Sequence, residues 1–442
     1  MIDNRELAPI EQAMEILNRR AGSYNVVTIS RIEGFLNEDI LRQALDLIQC
    51  RHPRLNSRIV GELDSLRFET EGTQRIPLRV ENKLDNEEWQ EVVLEEMNEK
   101  IDSSKVLLRA VLVRIESESS KNYLLTTIHH AITDGLSGIQ LHSEILTYCQ
   151  KIASGDRISE VGTLPALPPH NELLPEWMPG FRGQVKGVLF LLRLKFQMLW
   201  NKPETLGFEK VVPTELRRCG MVHRQLDEEF TQQLVNTCRQ EKTTVQGALC
   251  AAMMFAAARK IADLQKRDVR LSCRSYVDLR RRLKPVISEE NISILASSLT
   301  SFHILHPNTL LWELARNVTQ QLEAGLKRDD IFSVVLMSKK IIESLLSRPN
   351  EVPVTVALTN VGRINIPRVY GSFELEEISY IPAQAAFGGV FSAAVTTFAG
   401  KMILNFMFSE PSLGRDTMES LVNNAILCLV EACNNKVVTL MT

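Results

Sequence analysis

Apolar and polar positions follow two different periods along the chain, and these periods predict its helices and strands. Apolar residues that recur every three or four positions are typical of a helix with one buried face, whereas short runs rich in β-branched residues are typical of strands. Asn37 is a helix-capping residue type, and Pro53 ends the helix that follows it. In the first part of the chain the pattern predicts helices at 10–19, 38–52, 87–98 and 136–153, and strands at 25–32, 55–60, 66–70, 78–80, 107–115 and 123–130.

A proline-rich stretch interrupts this pattern. Prolines stand at positions 165, 168, 169, 175 and 179, and such a density disfavours both helices and sheet ladders. We expect an interdomain crossover that begins here and continues through the apolar segment 181–200 to Pro213. Beyond it, the pattern predicts strands at 221–226, 269–277, 301–306, 352–359, 389–398 and 401–408, and helices at 228–241, 245–264, 311–326, 332–346 and 415–434.

The predicted elements combine into two lobes. Strands mixed with helices on both sides of the crossover indicate an α/β sandwich, in which helices cover a sheet. We expect an N-terminal lobe at 1–163, a proline-rich and helical crossover at 164–219 and a C-terminal lobe at 220–442. Because ligand sites tend to lie at domain interfaces, two such lobes suggest a site between them.

The composition narrows the function classes. Of 442 residues, 44% are hydrophobic and 24% are charged, and the formal net charge of −3 gives no global basic field for nucleic acid. The chain has no stretch of ~18 uncharged apolar residues, and its first residues lack the apolar core of a signal peptide. We therefore expect a cytoplasmic protein without a transmembrane helix. The eight scattered cysteines fit buried free thiols in a reducing compartment better than disulfides.

The most informative motif is the heptapeptide HHAITDG at 129–135, which follows an apolar, β-prone run at 123–128. A strand that ends in two histidines and a turn presents an imidazole at the mouth of a cavity. With an ordinary pKa near ~6.5, an imidazole takes a proton from a hydroxyl or an amine at neutral pH. Asp134 can hold the local geometry, and Gly135 can adopt a backbone conformation that other residues resist.

Three other interpretations of this heptapeptide stay open. The histidine pair can be structural. It can also bind a metal with Asp134, although no third ligand stands at a compelling spacing and no Cys-x-x-Cys occurs. Finally, His129 and Asp134 match the HxxxxD pattern of membrane glycerolipid acyltransferases, which the missing hydrophobic anchor disfavours.

The heptapeptide resembles the HHxxxDG motif of the thioester-dependent acyltransferase superfamily, which includes chloramphenicol acetyltransferase, plant BAHD acyltransferases, condensation domains and polyketide-associated acyltransferases. The segment VDLR at 277–280 resembles the VDxR segment of this superfamily, and TNVG at 359–362 resembles the [ST]NxG segment of its condensation and alcohol acyltransferase branch. The DFGWG motif of the plant branch is absent. The resemblance spans nearly the whole chain and implies two chloramphenicol acetyltransferase-like lobes that form a pseudo-dimer with an interlobe channel.

The resemblance also implies roles for individual residues. His130 would be the general base, and His129 would shape the loop. Asp134 would point away from the substrate and pair with Arg280, locking the motif loop against the second lobe, with Arg282 as the alternative partner. Asn360 would stabilise a turn near the site.

The activity implied is acyl transfer without an acyl-enzyme, from a thioester on coenzyme A or on a carrier protein's phosphopantetheine to a hydroxyl or, less favoured, an amine. No tightly bound cofactor and no metal are expected, and the partners are the small-molecule donor and acceptor and a possible acyl or peptidyl carrier protein. We expect a monomer. The alternative function is a non-catalytic docking module of the condensation type, which the intact His130, Asp134 and Gly135 disfavour.

The crossover contains one further feature. Its segment 182–202 is a very apolar helix candidate, with Arg182, Lys186 and Arg193 on one face and no acidic residue. One interpretation is a helix packed on the second lobe. The other is an amphipathic helix that rests on a membrane surface or guards the channel for lipophilic acyl chains.

Overall fold

The computed structural model describes residues 4–22, 24–118, 120–156, 158, 161–176, 178, 180–262, 267–434 and 436–440. They form two compact units. Unit 1 comprises Met1–Pro175, Leu279–Leu295 and Arg363–Ala383, and unit 2 comprises Glu176–Asp278, Ala296–Gly362 and Gln384–Thr442. The units are therefore not contiguous in sequence, in contrast with the three consecutive regions expected from the sequence.

The strands, in chain order, are β1 (Arg5–Glu6), β2 (Asn25–Glu33), β3 (Arg58–Val60), β4 (Arg67–Glu69), β5 (Leu78–Lys83), β6 (Leu108–Ile115), β7 (Lys121–His129), β8 (Arg218–Leu226), β9 (Val269–Asp278), β10 (Ala296–Leu305), β11 (Val356–Arg363), β12 (Val369–Tyr370), β13 (Phe373–Pro382), β14 (Phe391–Phe398) and β15 (Lys401–Glu410). The helices are α1 (Pro9–Arg20), α2 (Glu38–Arg51), α3 (Trp89–Asn98), α4 (Gly135–Ala153), α5 (His170–Leu173), α6 (Phe181–Asn201), α7 (Glu228–Gln240), α8 (Val245–Ala262), α9 (Leu311–Lys327), α10 (Asp330–Leu346) and α11 (Arg415–Cys433), with a short 3-10 helix at Thr214–Leu216.

Unit 1 is built around a six-stranded sheet with the order β12-β13-β2-β7-β6-β5, beside a small sheet of β1, β4 and β3. Its central strands β2 and β7 are almost entirely buried. On β7, Thr126 contacts His142 of α4, whereas the next residue, Thr127, contacts Glu96 of α3. Because successive side chains of a strand point to opposite faces, α4 and α3 cover opposite faces of the sheet. The motif strand thus lies in the middle of a layered unit.

Unit 2 contains a second six-stranded sheet, with the order β10-β9-β11-β14-β15-β8. Its core is a single large apolar cluster around the alanine-rich helix α8, which packs against α9, α11 and β9. The predicted hairpin is confirmed, because β14 and β15 pair in an antiparallel manner. Its turn residues Ala399 and Gly400 both have positive φ, the conformation that two-residue hairpins favour.

Most predicted elements are confirmed within a few residues, but strand β13 was not predicted. Apolar and polar residues alternate at the start of β13, with Phe373 and Leu375 apolar. The register then shifts between Leu375 and Glu377, so the next apolar residue, Ile378, falls out of the alternation. This β-bulge breaks the period of two on which the prediction depends. The four-residue helix α5 lies inside the proline-rich stretch for which no helix was expected.

Two helices bear on the question of membranes. In the described part of the chain, α8 alone is long and apolar enough to cross a membrane, and 72% of it is buried in the protein, as in a core helix. Helix α6 packs against α10, yet its fully buried residues are only Gly183 and Gly187, and eight of its large apolar side chains are exposed. All eight cysteines are free, and only Cys50 is exposed.

Candidate active site

The loop between β7 and α4 carries the predicted motif in unit 1. Strand β7 ends at His129, and α4 begins at Gly135. Asp134 is the N-cap of α4, and its Oδ1 accepts a hydrogen bond of 2.8 Å from the backbone N–H of Ser137. A carboxylate at this position satisfies a free N–H and interacts favourably with the positive end of the helix dipole. The loop is thus anchored by the strand at one end and by the helix cap at the other.

The ring of His130 is held in one neutral tautomer. Its Nδ1 lies 2.8 Å from the backbone carbonyl oxygen of Thr133, and because that oxygen only accepts, Nδ1 carries the proton. The lone pair is therefore on Nε2, to which no described residue donates a hydrogen bond. The ring stacks on Tyr24, with 5.4 Å between the ring centroids and an angle of 17° between the planes. Burial lowers the pKa of His130 below 6.5, and this effect outweighs the opposing hydrogen bond to Thr133. At neutral pH, Nε2 is free to accept a proton.

His129 has the opposite environment, although it is the adjacent residue. It is fully buried, and its Nδ1 accepts a hydrogen bond of 3.1 Å from the backbone N–H of Ala131. Nε2 therefore carries the proton and lies 2.9 Å from Oε2 of Glu15 on α1. The Nδ1 lone pair is taken by Ala131 and Nε2 faces the Glu15 carboxylate, so His129 braces the loop and has no lone pair for substrate.

Glu15 is a buried carboxylate that the sequence analysis missed. Besides His129, its Oε1 accepts hydrogen bonds of 2.7 Å from Ser103 and 2.6 Å from Arg19. Burial raises the pKa of Glu15. The contact with His129 and the hydrogen bonds from Ser103 and Arg19 together outweigh burial and lower the pKa to about 2. Glu15 is thus ionised at neutral pH. The sequence gives little signal for this role, because glutamate in a helix is usually exposed.

Asp134 and Arg280 form a buried, bidentate ion pair. Arg280 Nη1 lies 2.9 Å from Oδ2 of Asp134, and Nη2 lies 3.0 Å from Oδ1. The backbone N–H of Leu295 donates a further hydrogen bond of 2.9 Å to Oδ2. Burial raises the pKa of Asp134, but the Arg280 guanidinium outweighs it and holds the pKa below its usual range. The carboxylate is directed at Arg280 and at the backbone N–H groups of Ser137 and Leu295, and it remains charged.

The position of this pair corrects one expectation. Residues 279–295 belong to unit 1, so Asp134 and Arg280 pair within one unit and do not lock two lobes together. Arg280 Nη2 also donates to Oγ of Ser137 at 2.8 Å, and that hydroxyl donates to the carbonyl oxygen of Ser293 at 2.9 Å. The network therefore fastens the segment 279–295 to the start of α4.

Gly135 is required for a reason other than the one expected. It has no positive φ. A Cβ atom at this position would lie 2.5 Å from the Cζ atom of Tyr380 on β13, which is closer than van der Waals contact permits. The motif glycine thus allows the ring of Tyr380 to pack on the first turn of α4.

The remaining predicted residues lie elsewhere. Arg282 is exposed, so it is not the partner of Asp134. In unit 2, Oδ1 of Asn360 accepts a hydrogen bond of 2.8 Å from the N–H of Gly362, whose φ of +74° is typical of a turn. Also in unit 2, His303 is buried between Ser301 and Asn317, whereas His306 is exposed. In the described residues, no three His, Cys, Asp or Glu side chains come together as metal ligands.

Sequence reasoning also missed Tyr24 and Thr133, which contact His130. The Thr133 contact is made by the backbone carbonyl, which no side-chain pattern reveals. Tyr24 precedes β2, and its contact with the motif depends on β2 pairing with β7, where Asn25 lies opposite His129. That pairing is a long-range property of the sheet.

Two family models match the chain. A condensation-domain model matches residues 12–164, and a model of the phthiocerol/phthiodiolone dimycocerosyl transferase C-terminus matches residues 216–408. No curated protein sequence matches it. The first match contains the motif, and the two matches together cover 346 of the 442 residues.

Solved structures share the fold over nearly the full length. Trichothecene 15-O-acetyltransferase from Fusarium sporotrichioides is 13% identical, with a TM-score of 0.77 over 97% of this chain and 95% of that one. Polyketide synthase associated protein 5 from Mycobacterium tuberculosis is 17% identical, with a TM-score of 0.69 over 97% and 98%. The first condensation domain of the calcium-dependent antibiotic synthetase is 13% identical, with a TM-score of 0.73 over 99% and 98%.

Because these identities are low, the structural likeness shows the fold alone. It confirms the predicted α/β class with chloramphenicol acetyltransferase-like lobes. The family models speak for common descent. Together, the two family models and the shared fold support the condensation and acyltransferase superfamily with the chloramphenicol acetyltransferase-like fold.

Proposed function

We propose that this protein is an acyltransferase that moves an acyl group from a thioester to a hydroxyl acceptor, with His130 as the general base. The observation that carries the proposal is the state of the His130 ring. Its Nδ1–H is fixed on the Thr133 carbonyl, and Nε2 keeps its lone pair. A neutral imidazole with an open Nε2 is what the deprotonation of a hydroxyl requires.

The proposed reaction balances without a covalent enzyme intermediate. The acceptor O–H gives its proton to Nε2 of His130 while its oxygen attacks the thioester carbonyl carbon. The C–S bond then breaks, and the leaving thiolate takes the proton from the imidazolium. Since a free thiol has a pKa of about 8.5, the thiolate is the stronger base at neutral pH and His130 returns to its neutral form.

The two braces of the loop support the proposal. His129 and Glu15 fix the strand end from inside unit 1, and Asp134 and Arg280 fix the helix end. Because a misplacement of about 1 Å can cost roughly a hundredfold in rate, both braces serve to hold Nε2 in place. Neither Asp134 nor His129 is proposed to exchange protons with substrate.

The donor is proposed to be acyl-coenzyme A or an acyl group on the phosphopantetheine of a carrier protein. Both present the same thioester, and they differ in what lies beyond the pantetheine arm. Acyl transfer to a hydroxyl is favoured over transfer to an amine. An amine is protonated at neutral pH and must first lose a proton before it can attack.

A thiol-release assay tests the proposal. Purified protein is incubated with acyl-coenzyme A of different chain lengths, or with an acyl-pantetheine carrier, together with a panel of alcohols and amines. We expect acceptor-dependent release of free thiol, and its loss in His130→Ala. Folded protein that releases no thiol with any donor would instead support the non-catalytic docking module.

A further inference from the structure

Helix α6 in unit 2 exposes large apolar side chains along its whole length. We call the following set the α6 stripe, and its members are between 40% and 81% exposed: Phe181, Val185, Val188, Leu189, Leu192, Phe196, Leu199 and Trp200. These residues are either three or four positions apart or adjacent in sequence, and so they share one face of the helix. Exposed apolar surface of this extent marks an interaction site.

Basic residues border the α6 stripe on both sides. At about 100° per residue, Arg182, Lys186 and Arg193 fall along one edge of the stripe, and Lys195 and Lys202 fall along the other. No aspartate or glutamate occurs between 181 and 202. Arg193 also forms an ion pair of 2.5 Å with Asp330 of α10, so its charge is partly used within the protein. The border as a whole is strongly positive.

The opposite face of α6 fixes its orientation. A Cβ atom at Gly187 would lie 2.3 Å from Cε of Met337 on α10, and one at Gly183 would lie 1.6 Å from the carbonyl oxygen of Met178. The two glycines therefore let α6 approach its neighbours closely on that side. Since Gly183 and Gly187 face inward, together with the half-buried Phe190, Leu191, Leu194 and Met198, the opposite face of α6, which carries the stripe, faces outward. The exposed stripe is a consequence of how the helix packs, and any larger residue at these glycines would alter it.

We infer that the α6 stripe binds the surface of a bilayer that contains anionic lipids. The stripe is a convex ridge of about 30 Å, the length of 21 residues at 1.5 Å each. A bilayer accepts a convex apolar ridge, whereas a protein partner would need a matching groove. The basic borders match the negative headgroups, and with an apolar centre this is the arrangement of helices that lie in the interface plane. The inference depends on unit 2 alone and is independent of the proposed activity.

Vesicle flotation tests the apolar part of the inference. The full-length protein should float with phosphatidylcholine vesicles that contain a third of phosphatidylglycerol, and less with phosphatidylcholine alone. Leu189→Asp/Leu192→Asp should reduce the bound fraction at least about tenfold, because two apolar anchors are lost. The matched control is Leu427→Asp/Val437→Asp, which alters two exposed apolar residues elsewhere in unit 2 and should float like the wild type.

Charge reversal tests the electrostatic part. Arg182→Glu/Lys195→Glu/Lys202→Glu should reduce binding to anionic vesicles several-fold and abolish its salt dependence. Arg193 is left unchanged because it pairs with Asp330. The control Arg239→Glu/Lys327→Glu/Lys401→Glu makes the same change in net charge at exposed positions of unit 2 and should retain binding.

Trp200 reports the geometry of binding. It is 72% exposed at the end of the stripe, so its fluorescence should shift to shorter wavelength on vesicles, and Trp200→Phe should lose most of the shift. Failure of the wild type to float at low salt would overturn the inference. So would flotation that Leu189→Asp/Leu192→Asp leaves unchanged. Concentration-dependent dimerisation that the same variant abolishes, without flotation, would assign the stripe to a second copy and also overturn it.

Discussion

Units 1 and 2 each build a six-stranded sheet covered by helices, but unit 1 buries more ionisable side chains than unit 2, where Arg217, His303 and Asp330 are buried. Unit 2 packs its sheet on an apolar cluster of aliphatic, alanine, methionine and cysteine side chains around α8. Unit 1 also buries ionisable side chains, among them Glu11, Glu15, His129, Asp134, His142, His170 and Arg280. Burying charged groups is costly unless each is paired.

This difference shows where unit 1 buries charged side chains in place of apolar ones. Unit 2 shows that this type of sheet can be covered without a dense buried network, so the fold does not require one. In unit 1 the network surrounds the loop at 129–135, with Glu15 on one side and Arg280 on the other. We interpret it as the cost of holding one uncommitted imidazole nitrogen in place.

Replacing one histidine in each unit should give the largest contrast between the two units. His130→Ala should lower the transfer rate about 10²–10⁴-fold and leave the melting temperature almost unchanged, because the residue serves as a base and is only half-buried. His303→Ala in unit 2 should do the reverse. It leaves Ser301 and Asn317 without a buried partner, at a cost of about 1–3 kcal/mol in stability, with activity retained in the folded protein.

Rates from the thiol-release assay and melting temperatures, measured on the same preparations, check this pair of outcomes. The exposed His306→Ala serves as the control and should change neither. If His130→Ala keeps more than about a tenth of the wild-type rate, His130 is not the base.

The ion pair of unit 1 offers the second contrast. Asp134→Ala or Arg280→Ala should each destabilise the protein by about 3–5 kcal/mol, because each leaves a buried charge without its partner. In unit 2, Glu241 and Arg316 pair at 2.8 Å with 36% of each side chain exposed, and breaking that pair should cost only about 0–1 kcal/mol.

Double-mutant cycles with denaturant unfolding measure both couplings. We expect the double variant of the buried pair to be much less destabilised than the sum of the single variants. Additive losses for Asp134 and Arg280 would show that the two side chains do not interact in solution.

The glycine of the motif allows a smaller test. Gly135→Ala should cost about 1–3 kcal/mol, because the new methyl group would overlap the ring of Tyr380 and force α4 or β13 to shift. Gly162→Ala is the matched control, since no atom lies within 4 Å of its Cβ position and its φ is not positive. A loss of stability in Gly162→Ala as large as in Gly135→Ala would exclude the steric explanation.

Much of this organisation could be predicted from the sequence. Periodicity located most helices and strands, and the pairing of Asp134 with Arg280 came from resemblance to known motifs. Three features could not be predicted, because each depends on contacts distant in sequence. Glu15 reads as an ordinary helix-surface residue until α1 is placed beside His129. The bulge in β13 hides its alternation, and the reason for Gly135 appears only when Tyr380 is placed against it.

The smallest predicted effect compares one buried histidine from each unit. On α4, His142 lies between Ser30 and Thr126, with 2.7 Å to each hydroxyl, and burial lowers its pKa from 6.5 to about 3. In unit 2, burial lowers the pKa of His303 to about 4, against the weaker opposing effect of Asn317. Both rings are therefore almost entirely neutral in the folded protein at pH 5.5 and above, more than one unit above these pKa values.

The sign of the pH dependence follows from these directions. Below pH 6.5 the unfolded chain takes up a proton at each histidine that the folded protein does not, so the stabilisation is present above 6.5 and is lost as the pH falls towards the folded pKa values. At pH 5.5, one unit below 6.5, each histidine should cost about 1.4 kcal/mol relative to pH 7.5. His142→Gln keeps a donor and an acceptor for the two hydroxyls and should remove this share of the acid sensitivity. His303→Gln should remove an equal share. Unfolding free energies at the two pH values measure the differences. An unchanged acid sensitivity in His142→Gln would mean that its ring is already protonated, or exposed, in the folded protein, and that the buried polar network of unit 1 is looser than the comparison with unit 2 implies.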